Sequence, residues 1–117
     1  MAKKILIVED EGQIGLALSL VLSDRDFDLD YVNSLLSASE YLEKNAPDLV
    51  ILDNKLPDGF GVDFISYIRK KYPSIRIIMI SGFATARDVA LANGADAFLD
   101  KPFSMEKVNQ AIDRVLV

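Results

Sequence analysis

Short apolar runs rich in β-branched residues alternate along this chain with segments whose apolar residues recur every three or four positions. Three of the runs, at residues 5–8, 49–52 and 75–80, contain almost no polar residue. Such runs are typical of strands that are buried on both faces of a parallel sheet. Strands that alternate with helices in this way fold into a layered α/β domain with right-handed crossover connections.

Two weaker strand signals complete the pattern. In residues 27–32, Phe27, Leu29 and Tyr31 alternate with two aspartates, which predicts an edge strand with one wetter face. Residues 97–99 are apolar but short, and they predict a final strand at the other edge. The sequence therefore predicts five parallel strands.

Each predicted strand is followed by a helical pattern. The apolar positions of the five patterns are Ile14, Ala17, Leu18, Val21 and Leu22; Leu35, Leu36, Ala38 and Leu42; Val62, Ile65, Ile68 and Tyr72; residues 89–92; and Val108, Ala111, Ile112 and Val115. We expect Ser34 and Ser104 to cap the second and fifth helices. Pro73 ends the third helix, and the pair Asn93-Gly94 closes the fourth. We predict one doubly wound α/β domain, (βα)₅, over residues 1–117.

Composition excludes several classes of function. The 117 residues suit one domain, and half of them are hydrophobic, which is too many for a disordered chain. The absence of cysteine and histidine excludes disulfides, thiolate or zinc sites and imidazole catalysis. A net charge of −5 argues against direct nucleic-acid binding. The apolar runs are too short for a membrane span or a signal peptide, so we expect no membrane association and a cytoplasmic location.

Polar residues with reactive side chains follow four of the five predicted strands. Glu9 and Asp10 follow the first strand, Asp53 the third, Ser81 the fourth and Lys101 the fifth. The carboxyl ends of parallel strands lie at one edge of the sheet, where ligands bind in α/β proteins. We therefore expect these five side chains to meet in one crevice.

Three carboxylates in one crevice need a positive charge between them. Each pair repels by about 4 kcal/mol at about 4 Å and intermediate dielectric. Mg²⁺ suits such a site because it prefers hard oxygen ligands and keeps several waters. Lys101 adds a second cation whose backbone is restricted by Pro102. The pattern indicates a site for magnesium and a phosphoryl group.

These residues resemble the receiver domain of response regulators in two-component signalling, a CheY-like family, over essentially the whole chain. The residues that carry the resemblance are Glu9-Asp10, Asp53 with Leu56-Pro57-Asp58-Gly59, Ser81-Gly82, Phe98 and Lys101-Pro102. The resemblance implies the strand order 2-1-3-4-5. It also implies that Asp53 accepts a phosphoryl group from the phosphohistidine of a histidine kinase or phosphotransfer protein. A downstream protein or an attached output domain would then respond.

The resemblance implies roles for the other residues as well. Asp10, Asp53 and the backbone carbonyl of Lys55 would bind Mg²⁺ directly, and Glu9 would act through water. Such a domain is a signalling phosphoacceptor that catalyses only its own phosphorylation and dephosphorylation.

The same resemblance assigns a switch to two residues. Ser81 would bond the new phosphate while Lys101 neutralises its charge, and Phe98 would rotate inward behind the loop that Ser81 draws in. Phe98 lacks the hydroxyl of the tyrosine often found at its position, so packing alone would hold its two states.

Other departures from the family pattern concern the surface. Glu9 replaces the more usual aspartate, and the segment from Ser81 to Gly94 is short, which alters the face where receivers dimerise after phosphorylation or bind targets. On the first helix, the region expected to dock a kinase, Leu16 and Leu20 point away from the core stripe.

Two side chains can overhang the phosphoryl group. Lys55 and Phe83 each lie two residues beyond a site residue. We hypothesise that Phe83 shields an acyl phosphate from water and that Lys55 adds charge at the rim.

Other functions fit the sequence less well. A haloacid-dehalogenase-like phosphatase would need a second aspartate two residues after Asp53, where Lys55 stands. In a flavodoxin-like electron carrier, the acidic residues 9–11 would repel the FMN phosphate. A pseudo-receiver that binds partners without being phosphorylated stays open, as does the choice between a complete regulator and the receiver part of a longer one.

Overall fold

Residues 3–116, which the computed structural model describes, form seven strands and five helices. The strands are β1 (Lys3–Val8), β2 (Phe27–Val32), β3 (Leu49–Asp53), β4 (Lys55–Leu56), β5 (Gly59–Phe60), β6 (Arg76–Ser81) and β7 (Ala97–Asp100). The helices are α1 (Gly12–Val21), α2 (Leu35–Lys44), α3 (Gly61–Lys71), α4 (Ala86–Ala92) and α5 (Met105–Val115).

Five strands form one parallel sheet in the order β2-β1-β3-β6-β7. Because β6 and β7 are the fourth and fifth strands of this sheet, the predicted α/β fold, (βα)₅, and the order 2-1-3-4-5 are confirmed. The two predicted edge strands, β2 and β7, lie at the edges. The fourth strand begins one residue later than predicted, since the N–H of Ile75 donates to the Tyr72 carbonyl in the turn after α3.

The two faces of the sheet carry separate cores. Leu6 and Val8 of β1 pack with buried residues of α2, α3 and α4, whereas Ile5 and Ile7 pack with buried residues of α1 and α5. This division follows from the alternation of side chains along a strand. Burying a side chain of this size contributes about 1.5–3 kcal/mol, so the central strands are firmly held.

The helix caps form as predicted. The hydroxyls of Ser34 and Ser104 accept hydrogen bonds from backbone N–H groups at the starts of α2 and α5. Gly94, which follows α4, has a φ of 113°. Leu36 is an exception, because its predicted place in the buried stripe of α2 is wrong and it is 65% exposed. It follows Leu35 by one residue, which turns its side chain by about 100° around the helix axis.

A small hairpin follows β3. Residues 56–59 connect β4 to β5, a two-stranded antiparallel pair that the sequence did not reveal. The Asp58 carboxylate in this turn accepts hydrogen bonds from the N–H groups of Leu35 and Leu36 at 2.9 and 3.0 Å. Both N–H groups lower the pKa of Asp58. The hairpin is thereby tied to the start of α2.

Near the amino-terminal ends of β6 and β7, Arg69 connects three segments of the chain. Its guanidinium donates to the carbonyls of Pro73, Ile75 and Gly94 at distances of 2.8–3.2 Å, and to the Asp96 carboxylate at 2.8 Å. These bonds connect the end of α3, the start of β6 and the loop before β7.

Within residues 3–116, no helix is long and apolar enough to cross a membrane.

Candidate functional site

The carboxyl edge of the sheet holds an ion pair between Asp53 and Lys101. Asp53 is the last residue of β3, and its side chain is only 4% exposed. The Lys101 Nζ lies 3.0 Å from Asp53 Oδ1 and 3.1 Å from Oδ2. A buried carboxylate needs such a partner, because desolvation without compensation is costly. Lys101 is positioned by its own N–H, which donates to the Ser81 carbonyl at 3.0 Å.

This ion pair lies in a cavity of about 340 Å³. The residues that line it are Asp10, Glu11, Asp53, Lys55, Leu56, Pro57, Ser81, Gly82, Phe83 and Lys101. Five residues named from the sequence for this crevice are therefore brought together: Asp10, Asp53, Lys55, Ser81 and Lys101. Glu11 also lines the cavity, a position that was not predicted from the sequence.

Glu9 does not line this cavity. Its carboxylate Oε1 accepts a hydrogen bond from the Gly15 N–H at 2.9 Å, and the residue lines a different hollow, beside Tyr31 and Asn33. Burial raises the pKa of the Glu9 carboxyl, the Gly15 N–H opposes this shift, and the charge of Asp53 adds to it. Its Oε2 is buried without a hydrogen-bond partner among the described residues.

The peptide after Asp53 is fixed by Asn54, whose role was not predicted from the sequence. Its N–H donates to the Ile80 carbonyl at 3.0 Å, and its own carbonyl accepts from the Gly61 N–H at 2.6 Å. The Asn54 side-chain Oδ1 accepts from the Val62 N–H at 3.1 Å and so caps α3 from a distance. Asparagine after a strand-ending aspartate is the signal that could have found this contact.

Ser81 and Phe83 form the opposite wall of the cavity. Ser81 is buried at the end of β6, and its Oγ accepts from the Phe83 N–H at 3.0 Å. The Phe83 side chain is 61% exposed at the cavity rim. The placement of Phe83 is therefore compatible with covering a group bound to Asp53.

Phe98 is buried on β7, the strand that pairs with β6. Its ring is covered by Arg87, whose guanidinium carbon is 5.7 Å from the ring centroid. Arg87 also pairs with Asp100, with 3.7 Å between guanidinium nitrogen and carboxylate oxygen. No sequence signal distinguished Arg87 from other surface arginines.

The oxygen atoms in the cavity suit a hard cation. Among residues 3–116, no three acidic side chains are arranged to hold a metal ion by themselves. Mg²⁺ does not require such a cluster, because it is usually bound through one or two carboxylates, waters and substrate phosphates. Asp10 and Asp53 supply two carboxylates here.

Comparison with known proteins identifies the family. The pattern that defines the response regulator receiver domain matches residues 5–113. The chain belongs to this family. A receiver is the signalling domain of a response regulator in two-component systems, and the cavity at the carboxyl edge is where its strand-end residues meet.

Individual relatives agree with this assignment. The receiver is 31% identical over 116 residues to the response regulator protein PilR of Pseudomonas aeruginosa, a match that covers 97% of this chain and 26% of PilR. It is 32% identical over 120 residues to the phosphate regulon transcriptional regulatory protein PhoB of Escherichia coli, with coverage of 99% and 52%. The chain thus spans a quarter to a half of these curated relatives.

The fold also matches solved structures. A CheY-like response regulator receiver domain protein from Methanospirillum hungatei superposes with a TM-score of 0.92 at 26% identity, covering 99% of this chain and 94% of that one.

Proposed function

We propose that this receiver is a phosphoacceptor whose Asp53 takes a phosphoryl group from the phosphohistidine of a histidine kinase or phosphotransfer protein. The observation that carries the proposal is the buried Asp53 carboxylate, paired with Lys101 and facing a cavity that has room for a phosphoryl group. The domain catalyses only its own phosphorylation and dephosphorylation, and it passes the signal to a downstream protein or an attached output domain.

The transfer is a displacement at phosphorus. An Asp53 oxygen forms the new P–O bond, the P–N bond of the donor phosphohistidine breaks, and its electron pair remains on the imidazole nitrogen. Lys101 already contacts both Asp53 oxygens, so its ammonium can move with the charge as it shifts onto the phosphoryl oxygens. Such catalysis consists mainly of positioning and electrostatic stabilisation.

The residues that would hold Mg²⁺ are Asp10, Asp53 and Lys55, the last through its backbone carbonyl. When bound, the ion supplies positive charge for the phosphoryl oxygens. Glu9 contributes through water, and its buried, unpartnered Oε2 is an acceptor that such a water would satisfy.

The response to phosphorylation passes through Ser81 and Phe98. Among residues 3–116, the Ser81 side chain has one hydrogen bond, which its Oγ accepts from the Phe83 N–H, so the hydroxyl proton can be donated to a phosphoryl oxygen. This new bond would move the loop that begins at Ser81, and with it the face formed by α4 and β7, where Phe98 lies. We propose this face as the one that contacts an output partner or a second receiver after phosphorylation.

The proposed kinase-docking region is α1. Leu16 and Leu20 on this helix are 63% and 67% exposed, which leaves an apolar contact surface on a helix that starts near the phosphoacceptor edge. A partner that donates its phosphoryl group must reach that edge.

The direct test is incubation with acetyl phosphate and Mg²⁺, followed by intact-mass measurement. We expect the wild type to gain one phosphoryl group that hydroxylamine removes, as an acyl phosphate requires. Asp53→Asn should gain none. Asp24→Asn is a matched control, because it removes an exposed carboxylate outside the site and should label like the wild type.

Absence of the adduct from the wild type, with acetyl phosphate and with a range of histidine kinases, would overturn the proposal. A protein with this behaviour would be a pseudo-receiver. Labelling of Asp53→Asn would place the acceptor elsewhere.

A further inference from the structure

We infer that Arg87 is a positioning residue that holds Phe98 in its buried position through a cation–π contact, while Asp100 anchors the guanidinium. The effect of this latch on signalling rests on the proposed function of Asp53. The latch itself is a property of the unphosphorylated protein.

The geometry follows from the positions of the three residues. Phe98 and Asp100 are two residues apart on β7, so their side chains project from the same face of the strand. The intervening Leu99 packs into the opposite core, with α1 and α5. Arg87 lies in the first turn of α4 above this face, where one guanidinium reaches both the ring and the carboxylate.

The contact replaces an interaction that Phe98 cannot make. A phenyl ring has no hydroxyl with which to bond the loop, and the Arg87 guanidinium is the one cation placed over it among the described residues. The arginine side chain is 53% exposed and Asp100 is 59% exposed. A cation–π contact at such an exposed site changes an equilibrium by about two- to fivefold. The latch is therefore a bias on Phe98 and not a lock.

The latch is one residue from the phosphoacceptor site. Asp100 directly precedes Lys101, and it pairs in register with Ser81. A ring that is already buried reduces the rearrangement that must accompany phosphorylation of Asp53. We expect phosphorylation to use the state in which the ring is buried, so its rate should fall in proportion to the fraction of molecules in that state.

The experiment observes the ring directly. The protein is prepared with 4-fluorophenylalanine at position 98, and fluorine NMR measures the ratio of buried to exposed ring without any phosphodonor. We expect Arg87→Gln to shift this ratio toward the exposed state by about two- to fivefold. Arg87→Lys, which retains the cation, should restore part of the bias.

The matched control is Lys107→Gln. Lys107 lines a groove together with Arg87 and Phe98 and carries the same charge, but in the described part of the chain it makes no cation–π contact with the Phe98 ring. An unchanged spectrum for Arg87→Gln, or an equal shift for Lys107→Gln, would overturn the inference. Thermal melts confirm that all variants are folded.

The rate of labelling by acetyl phosphate is measured on the same variants. If the labelling rate of Arg87→Gln falls in proportion to the fraction of buried ring, the link between Phe98 and Asp53 is supported. If the buried fraction falls and the labelling rate stays unchanged, that link is refuted. A wild type that is never labelled refutes the proposed function instead, and the fluorine spectra still decide whether the latch exists.

Discussion

Gly61, the first residue of α3, packs so closely against β3 that even one added methyl group should disturb the strand that carries Asp53. A Cβ at this residue would lie 2.5 Å from the Asp53 carbonyl oxygen, 3.0 Å from Leu52 Cγ and 3.1 Å from Met79 Cε. The first distance is shorter than real Cβ contacts, and the atom that must move belongs to the backbone of β3. That strand is paired on both sides, with β1 and β6, and cannot shift freely.

The magnitude for Gly61→Ala follows from two opposing effects. Overpacking of this kind costs about 1–3 kcal/mol. Alanine returns up to about 1 kcal/mol of helix propensity, less at a first helical residue. We expect a net loss of about 1–2 kcal/mol in the free energy of unfolding. With a urea m-value of about 1–3 kcal/mol per molar, the unfolding midpoint falls by roughly 0.3–2 M.

Gly12→Ala is the matched control, because Gly12 is the first residue of α1. A Cβ there meets no described atom within 4 Å, and neither glycine has a positive φ. This substitution should therefore stabilise the protein by about 0.4–1 kcal/mol. The reasoning is refuted if urea unfolding, followed by circular dichroism, shows that Gly61→Ala is as stable as Gly12→Ala.

Three further predictions test other contacts. Arg69→Met should lower the free energy of unfolding by about 2–3 kcal/mol, because it removes charge-assisted hydrogen bonds to three loop carbonyls. The control Lys70→Met, at an exposed neighbouring position, should change the free energy of unfolding by less than about 0.5 kcal/mol. Equal urea midpoints for the two variants would contradict this prediction. Because the pKa of Asp58 is lowered in the folded state, its ionised carboxylate stabilises the fold. This stabilisation is fully present above the usual aspartate pKa of 3.8 and is lost as the pH falls through the folded-state pKa. The difference in Tm between wild type and Asp58→Asn should therefore shrink on acidification, and a constant difference would refute the cap. Phe83→Ala should shorten the lifetime of the phosphoryl group on Asp53, measured by intact mass after removal of the donor, and equal lifetimes would exclude shielding.

The sequence predicted the sheet and the crevice because both depend on long, regular patterns. Buried runs marked the central strands, and the residue after each run marked the carboxyl edge. Asp53, Ser81 and Lys101 could be placed together from chain order alone. The hairpin of β4 and β5 could not be predicted as strands, because two-residue strands have no periodicity.

Such patterns could not predict side-chain contacts to backbone groups, or contacts between a helix and a strand. Arg69 is recognisable only once the carbonyls around it are placed, since a carbonyl has no sequence signal. Glu9 was grouped with Asp10 as its neighbour, yet alternation along the chain sends its carboxylate toward Gly15. The position of Arg87 over Phe98 depends on how the short α4 lies on the sheet.

The bonds around Asp53 indicate which part of the site can respond to phosphorylation. The peptide that follows it is fixed by Asn54, whose N–H, carbonyl and side chain are all bonded, to β6 on one side and to the start of α3 on the other. Gly61 packs against the Asp53 carbonyl with no space left. The Asp53 carboxylate, in contrast, faces Lys101, whose side chain is partly exposed. If Asp53 is the phosphoacceptor, as proposed, the conformational change therefore passes from its carboxylate to Ser81 at the end of β6 and to the neighbouring end of β7. Strand β3 and helix α3 stay fixed during this change.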